Sequence, residues 1–240
     1  MKLSFAGFLK PVEIAPGCIA VLEVHNSALF ARVASSICSY TGEDASEPYS
    51  WWGDDGAEIT PKAASLVIPS PLMLPWDERR LTAGVASRLE SYLIEDFARQ
   101  VDLEKQANGL RGLLGSFALS LQSDYALSAE LDIRRLLKAF DFGVDYDVND
   151  SLLDKCIKFL SYVSDSGFSA TLVFVNLKPF FGLNELDQLY EHAFFLGLSV
   201  MLIENVASDY LELREEKYII DQDLLEFWPN RQSDVSVPPQ

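Results

Sequence analysis

Short apolar runs unbroken by charge alternate along this chain with stretches whose apolar positions recur every three or four residues. Thr171–Asn176 and Leu198–Ile203 are rich in β-branched and aromatic residues, as strands buried on both faces are. Between them Leu186, Leu189, Tyr190, Ala193, Phe194 and Leu196 return at helical spacing, with Asn184 as the expected cap and Asp187 three positions on. Two buried strands joined by one helix predict a parallel pair with a right-handed crossover. Cys18–Val24 reads as a third such strand, entered by a hairpin from Val12–Ile14 through the Pro16–Gly17 turn. Met1–Phe5 alternates as a strand does, and Leu29, Phe30, Val33, Ile37 and Tyr40 make a helix behind the caps offered by His25, Asn26 and Ser27.

Thr41–Pro75 breaks the pattern with glycine, proline and acidic groups, and is read as a loop and connector carrying the apolar run Ala64–Ile68. Trp51 and Trp52 within it fit either a contact surface or packing of the loop onto its own domain. From Asp77 to Phe140 the period is helical throughout. Leu81, Val85, Leu89, Tyr92, Leu93, Phe97 and Val101 form one long stripe behind Asp77 as cap. Leu110, Leu113, Leu114, Phe117 and Leu121 form a second, and Ile133, Leu136, Leu137 and Phe140 a third that starts near Ser128. Returning to one seam, these predict an antiparallel helical arm. Phe142–Tyr146 is a strand candidate, and Asn149 or Asp150 is placed to cap a helix over Leu152–Val163. An acidic stretch, Asp209–Glu216, precedes a last strand, Lys217–Ile220, and the polar tail 229–240 is expected to be disordered. The expected fold class is α/β: a head from 1–75 and 142–228 with a parallel-strand core, and an all-helical leg from 76–141.

Composition narrows the function classes. With 49% hydrophobic and 12% aromatic residues the chain is globular. No apolar run approaches a bilayer span and no signal sequence opens the chain, so no membrane partner and a cytoplasmic location are expected. A net charge of -17 counts against nonspecific binding to polyanions, yet nine of the nineteen basic residues fall between Asp77 and Asp147. Cys18, Cys38 and Cys156 lack metal or disulfide spacing, and two histidines are too few for a metal cluster.

The chemistry available is sparse. The first strand enters the first helix through Glu23–Ser27, where a P-loop protein would hold its nucleotide, but there is no glycine-rich run and no lysine followed by serine or threonine. No nucleotide is expected. Arg134, Arg135 and Lys138 lie on one helix face, suited either to a row of phosphates or to an ordinary solvated surface in which Glu130 pairs with Arg134. Asp124, Glu130 and Asp132 are oxygen ligands without EF-hand spacing. No Ser, His and Asp arrangement stands out.

The chain resembles the small accessory adaptation protein of type II-A CRISPR systems. The residues that carry the resemblance are Lys2–Phe5, Ile19–Glu23, Leu136–Phe140 leading to Gly143–Val144, Asp154–Cys156, Leu172–Asn176, Leu198–Glu204 and Tyr218–Asp221, in that order and spacing. The resemblance covers most of the chain except the Thr41–Gly56 loop and the tail. It implies a degenerate P-loop-like head without ATPase activity and a helical leg. It also implies a homotetrameric ring whose basic lumen encloses double-stranded DNA entered from free ends, without sequence reading or catalysis. The implied role is support of spacer acquisition, with the CRISPR integrase complex and the RNA-guided nuclease of the same system as partners.

Lys138 matches a lysine of the family's leg helix and is the first expected phosphate contact. Arg134, Arg135, Lys62, Arg79, Arg80 and Arg88 follow by charge and location. Family members bind calcium through a dense acidic cluster before that helix, of which Asp124, Glu130 and Asp132 remain here. The readings from other classes are a nucleotide-dependent enzyme of P-loop-like topology and an acidic protein-binding scaffold.

Overall fold

The computed structural model describes residues 1–128, 130–207 and 214–229. The tail from Asn230 and the part of the acidic stretch between Asp209 and Leu213 lie outside the described residues. The chain divides into two compact units. Unit 1 comprises Met1–Trp76, Tyr146–Ser164 and Ser169–Gln240, and unit 2 comprises Asp77–Asp145 with Asp165–Phe168.

Unit 1 is built on a six-stranded sheet. Its members are β3 (Ile19–Val24), β6 (Ser65–Ile68), β7 (Thr171–Val175), β8 (Val200–Glu204), β9 (Glu215–Ile220) and β10 (Glu226–Phe227), in the order β10-β9-β3-β8-β7-β6. All neighbours pair in parallel except β9 with β10. The registers Ile19↔Val200, Glu23↔Glu204 and Ile19↔Glu215 fix the centre of the sheet. β3, β6, β7 and β8 are buried along their whole length, which is why they read as continuous apolar runs.

A second, antiparallel sheet of order β2-β1-β4-β5 is formed by β1 (Lys2–Phe5), β2 (Val12–Glu13), β4 (Tyr49–Trp52) and β5 (Glu58–Ile59). The expected hairpin into β3 is therefore corrected. β2 folds back on β1 instead, with Leu3 opposite Val12, and β1 pairs with β4 through Leu3↔Trp51. Thr41–Pro75 is more than a connector, since it supplies β4, β5, the short helix α2 (Pro61–Ala64) and β6. Trp51 is fully buried, whereas Trp52 is partly exposed. Leu3, Phe5, Tyr49 and Trp51 pack with Leu22, Val24, Met201 and Ile203 of the large sheet and with Leu29, Val33 and Ile37 of α1 (Ser27–Ser39). Truncating a buried aromatic in such a core costs about 3–5 kcal/mol.

The opposite face of the sheet, bearing Val21 and Glu23, lies toward α7 (Leu183–Phe195), whose Tyr190 hydroxyl donates to Glu215 at 3.0 Å. Ser161 of α6 (Leu152–Asp165) bonds His192 of α7 at 2.8 Å. Two expected caps move. Gly182, not Asn184, opens α7 and donates its N–H to Glu185 at 2.9 Å, while Ser151 Oγ accepts from the Asp154 N–H at 3.1 Å at the start of α6. Phe142–Tyr146 is not a strand.

Unit 2 contains α3 (Arg79–Glu95), α4 (Phe97–Ala118) and α5 (Ile133–Ala139). The single stripe from Leu81 to Val101 is broken at Asp96, whose carboxylate accepts from the Arg99 N–H at 3.1 Å and so starts α4 afresh. Glu78, rather than Asp77, caps α3, and α5 begins behind Asp132 as its cap, later than the start expected near Ser128. Gly84 is required on α3, because a Cβ there would stand 2.1 Å from the Ser166 carbonyl. Leu81 and Ala86 are the buried hydrophobic residues of unit 2 among those described, and α4 and α5 bury none. No helix of the described residues is long and apolar enough to cross a membrane.

Candidate nucleic-acid interface

Of the seven cations singled out by sequence, Lys62 lies exposed on α2 of unit 1 and the other six belong to unit 2. Unit 2 carries nine basic against thirteen acidic residues, a net of -4, so the remaining -13 of the charge falls to unit 1.

The six of these cations that belong to unit 2 fall into two groups. Arg80 pairs with Glu78 at 3.0 Å and lies 5.2 Å from the centre of the Phe168 ring. Arg88 donates to the Tyr92 hydroxyl at 2.8 Å and to the Asp165 carbonyl at 3.2 Å. Arg135 pairs with Asp132 at 3.1 Å, within its own helix. Arg134 does not pair with Glu130. It forks onto Glu90 of α3, with Nε 3.1 Å from Oε1 and a guanidinium nitrogen 3.3 Å from Oε2, and also donates to Ser87 Oγ at 2.8 Å. The Glu90 bond is the first reason the Arg134 pKa stands above its ordinary value. Arg79, at the start of α3, and Lys138, in the last turn of α5, form the other group: both are exposed and neither has a carboxylate partner among the described residues.

The acidic residues before α5 do not converge. Asp132 spends one oxygen on the Arg135 N–H at 3.1 Å and the other on the Arg135 side chain, and Asp124 and Glu130 are exposed. Among the described residues no group of three His, Cys, Asp or Glu is placed to hold a metal ion. The set does not fit calcium.

Where a phosphate loop would stand, β3 and α1 are joined by His25 and Asn26 alone. Asn26 Oδ1 caps α1 by accepting from Leu29 at 3.0 Å, its Nδ2 donates to the Gln222 carbonyl at 3.1 Å, and Gln222 Nε2 donates to the His25 carbonyl at 2.6 Å. The segment after β9 is thus laced across this connection.

Sequence reasoning missed a buried ionic cluster on the α7 side of the sheet. Lys178, in the turn after β7, lies 2.8 Å from Glu215, and Lys217 lies 3.0 Å from Glu23, which also meets His25 at 2.8 Å. Glu204 Oε1 accepts from the Leu177 and Lys178 N–H groups at 2.9 and 3.1 Å. Burial pushes the Glu204 carboxyl up to about 7, against the pull of those amides. Burial likewise raises Glu23, but the bonds from His25 and Lys217 outweigh it and the net shift is downward. The available signal was a charge inside or ending each apolar run: Glu23, Glu204 and Lys217.

A mostly parallel α/β unit with a helical second unit, no phosphate loop and exposed cations on the helices defines the class. The profile of the family described as CRISPR-associated protein (Cas_Csn2) matches residues 47–224, and the chain belongs to that family of type II-A CRISPR accessory proteins. The sequence matches no curated protein. Among solved structures, the crystal structure of Stu0660 of Streptococcus thermophilus is 16% identical at a TM-score of 0.55, over 92% of this chain and 74% of that one, which shows a shared fold. A nucleotide-free ATP-binding cassette from an ABC transporter aligns at 11% identity and a TM-score of 0.48, over 96% of this chain and 92% of that one.

Proposed function

We propose that this CRISPR-associated accessory protein is a non-catalytic subunit that binds the ends of double-stranded DNA without reading sequence, and that it supports spacer acquisition as a homotetrameric ring. Its partners would then be the integrase complex and the RNA-guided nuclease of its own system. Membership of the family supplies the context. The observation that carries the reading on this chain is the exposure of Lys138 and Arg79 without carboxylate partners among the described residues, in the less acidic unit.

Assembly is supported by α4. Phe97, Val101, Leu110, Leu113, Leu114 and Phe117 are all exposed, whereas Gln100, Leu103, Ala107, Arg111 and Ala118 are partly covered. A helix that turns its largest apolar side chains to water has a face for another molecule. A ring with a cation-lined lumen and an acidic exterior reconciles DNA binding with the net charge of -17. No step of this proposal runs through calcium. The test is the salt dependence of binding to short linear duplex. Lys138→Ala and Arg79→Ala each lower the slope of log K against log salt by about 0.9, and a slope equal to wild type removes them from the DNA surface.

A further inference from the structure

We propose that Arg134 is a positioning residue and not a phosphate contact: its fork onto Glu90 and Ser87 holds α5 on α3 and so fixes where Lys138 stands. The inference rests on the DNA-binding reading of Lys138 but is carried by separate observations. α5 spans seven residues, buries none of them and ends at a non-helical Phe140. A helix that short does not persist by its own propensity in water. Its N-terminus is closed locally by Asp132, and Arg135 returns to the same Asp132, so neither ties it to a neighbour.

Arg134 does. Three hydrogen bonds reach residues 44 and 47 positions earlier in the chain, from a planar group whose fork matches a carboxylate. Ser87 and Glu90 stand one turn apart on α3, so one guanidinium spans two successive positions of the same face. A guanidinium committed in this way has most of its donors turned to protein. Lys138 stands four residues on, on the same face of α5, and has no such commitment among the described residues. Moving α5 moves Lys138 with it.

The two roles give opposite signs for one substitution. If Arg134 bound phosphate, Glu90→Ala would delete a competing negative charge and strengthen DNA binding. If Arg134 positions α5, Glu90→Ala releases the helix and weakens it. The experiment compares wild type, Glu90→Ala, Arg134→Lys and Lys138→Ala in the full chain. It reads affinity and salt slope on linear duplex, and amide hydrogen exchange of α5 without DNA, with thermal melts to show that the remainder stays folded.

The inference expects Glu90→Ala and Arg134→Lys each to speed α5 exchange and to weaken binding by about twofold to fivefold, the range of a tethering ion pair, with the salt slope unchanged. Lys138→Ala alone lowers the slope. Tighter binding by Glu90→Ala, or wild-type exchange and affinity in Arg134→Lys, overturns the inference. Should wild type bind no DNA, the proposed function fails, while exchange in the two variants still decides whether Arg134 holds the helix.

Discussion

Lys178 and Glu215 form an ion pair inside unit 1, with Nζ 2.8 Å from Oε2 and side-chain exposures of 4% and 0%. The pair ties the turn after β7 to the first residue of β9, and Tyr190 of α7 donates to the other Glu215 oxygen. Burial pulls the Lys178 pKa down, and Glu215 only partly restores it. Removing the carboxylate strands a buried cation. Glu215→Ala should lower the unfolding free energy by about 3–5 kcal/mol in a denaturant titration followed by tryptophan fluorescence. A loss under about 1 kcal/mol would mean that the pair is solvated.

Glu204 gives a pH dependence of defined sign. Its folded carboxyl titrates at about 7 against a reference value of 4.5, so the folded state holds a proton there that the unfolded state has released. The stability this contributes is present below 4.5 and is lost as pH rises through about 7. Glu204→Gln keeps the oxygen that accepts from Leu177 and Lys178 and removes the titration. It should flatten the fall in stability between about pH 5 and 8, with a gain on the order of 1–2 kcal/mol at pH 8. A wild-type curve already flat over that window contradicts the assignment.

The exposed face of α4 makes assembly testable apart from DNA. Leu113→Glu with Phe117→Glu places two charges in the proposed subunit contact and should weaken association by at least about a hundredfold. Light scattering at micromolar concentration should then shift from oligomer to smaller species, with the circular dichroism spectrum retained. An unaltered mass would show that this face covers nothing in the assembly.

The central β7-α7-β8 unit was legible because a strand buried on both faces is apolar at every position, and no helix surface imitates that pattern. β1 was legible as a strand, but its partner was not: the pairing of Leu3 with Trp51 joins distant segments, and local periodicity carries no record of it. The Pro16–Gly17 turn made β3 the expected hairpin partner of β2, which pairs with β1 instead. In the leg, Asp96 sits where a helix surface residue would, so the break between α3 and α4 left no mark on the stripe.

The candidate interface shows the same division. Spacing placed Arg134, Arg135 and Lys138 on one helix, but it offered the near Glu130 where the fold uses Glu90. Glu215 reads in sequence as part of the acidic stretch before the last strand, yet it opens β9 and is the least exposed charge of the buried cluster. Charges ending apolar runs were the sign that a polar interior existed.

The most direct test of the central claim is binding to linear and covalently closed circular duplexes of one sequence at moderate salt. A ring entered from free ends is retained on the linear form and fails to load on the circle. Equal affinity for the two forms would contradict threading and reduce the cations of unit 2 to an open surface patch.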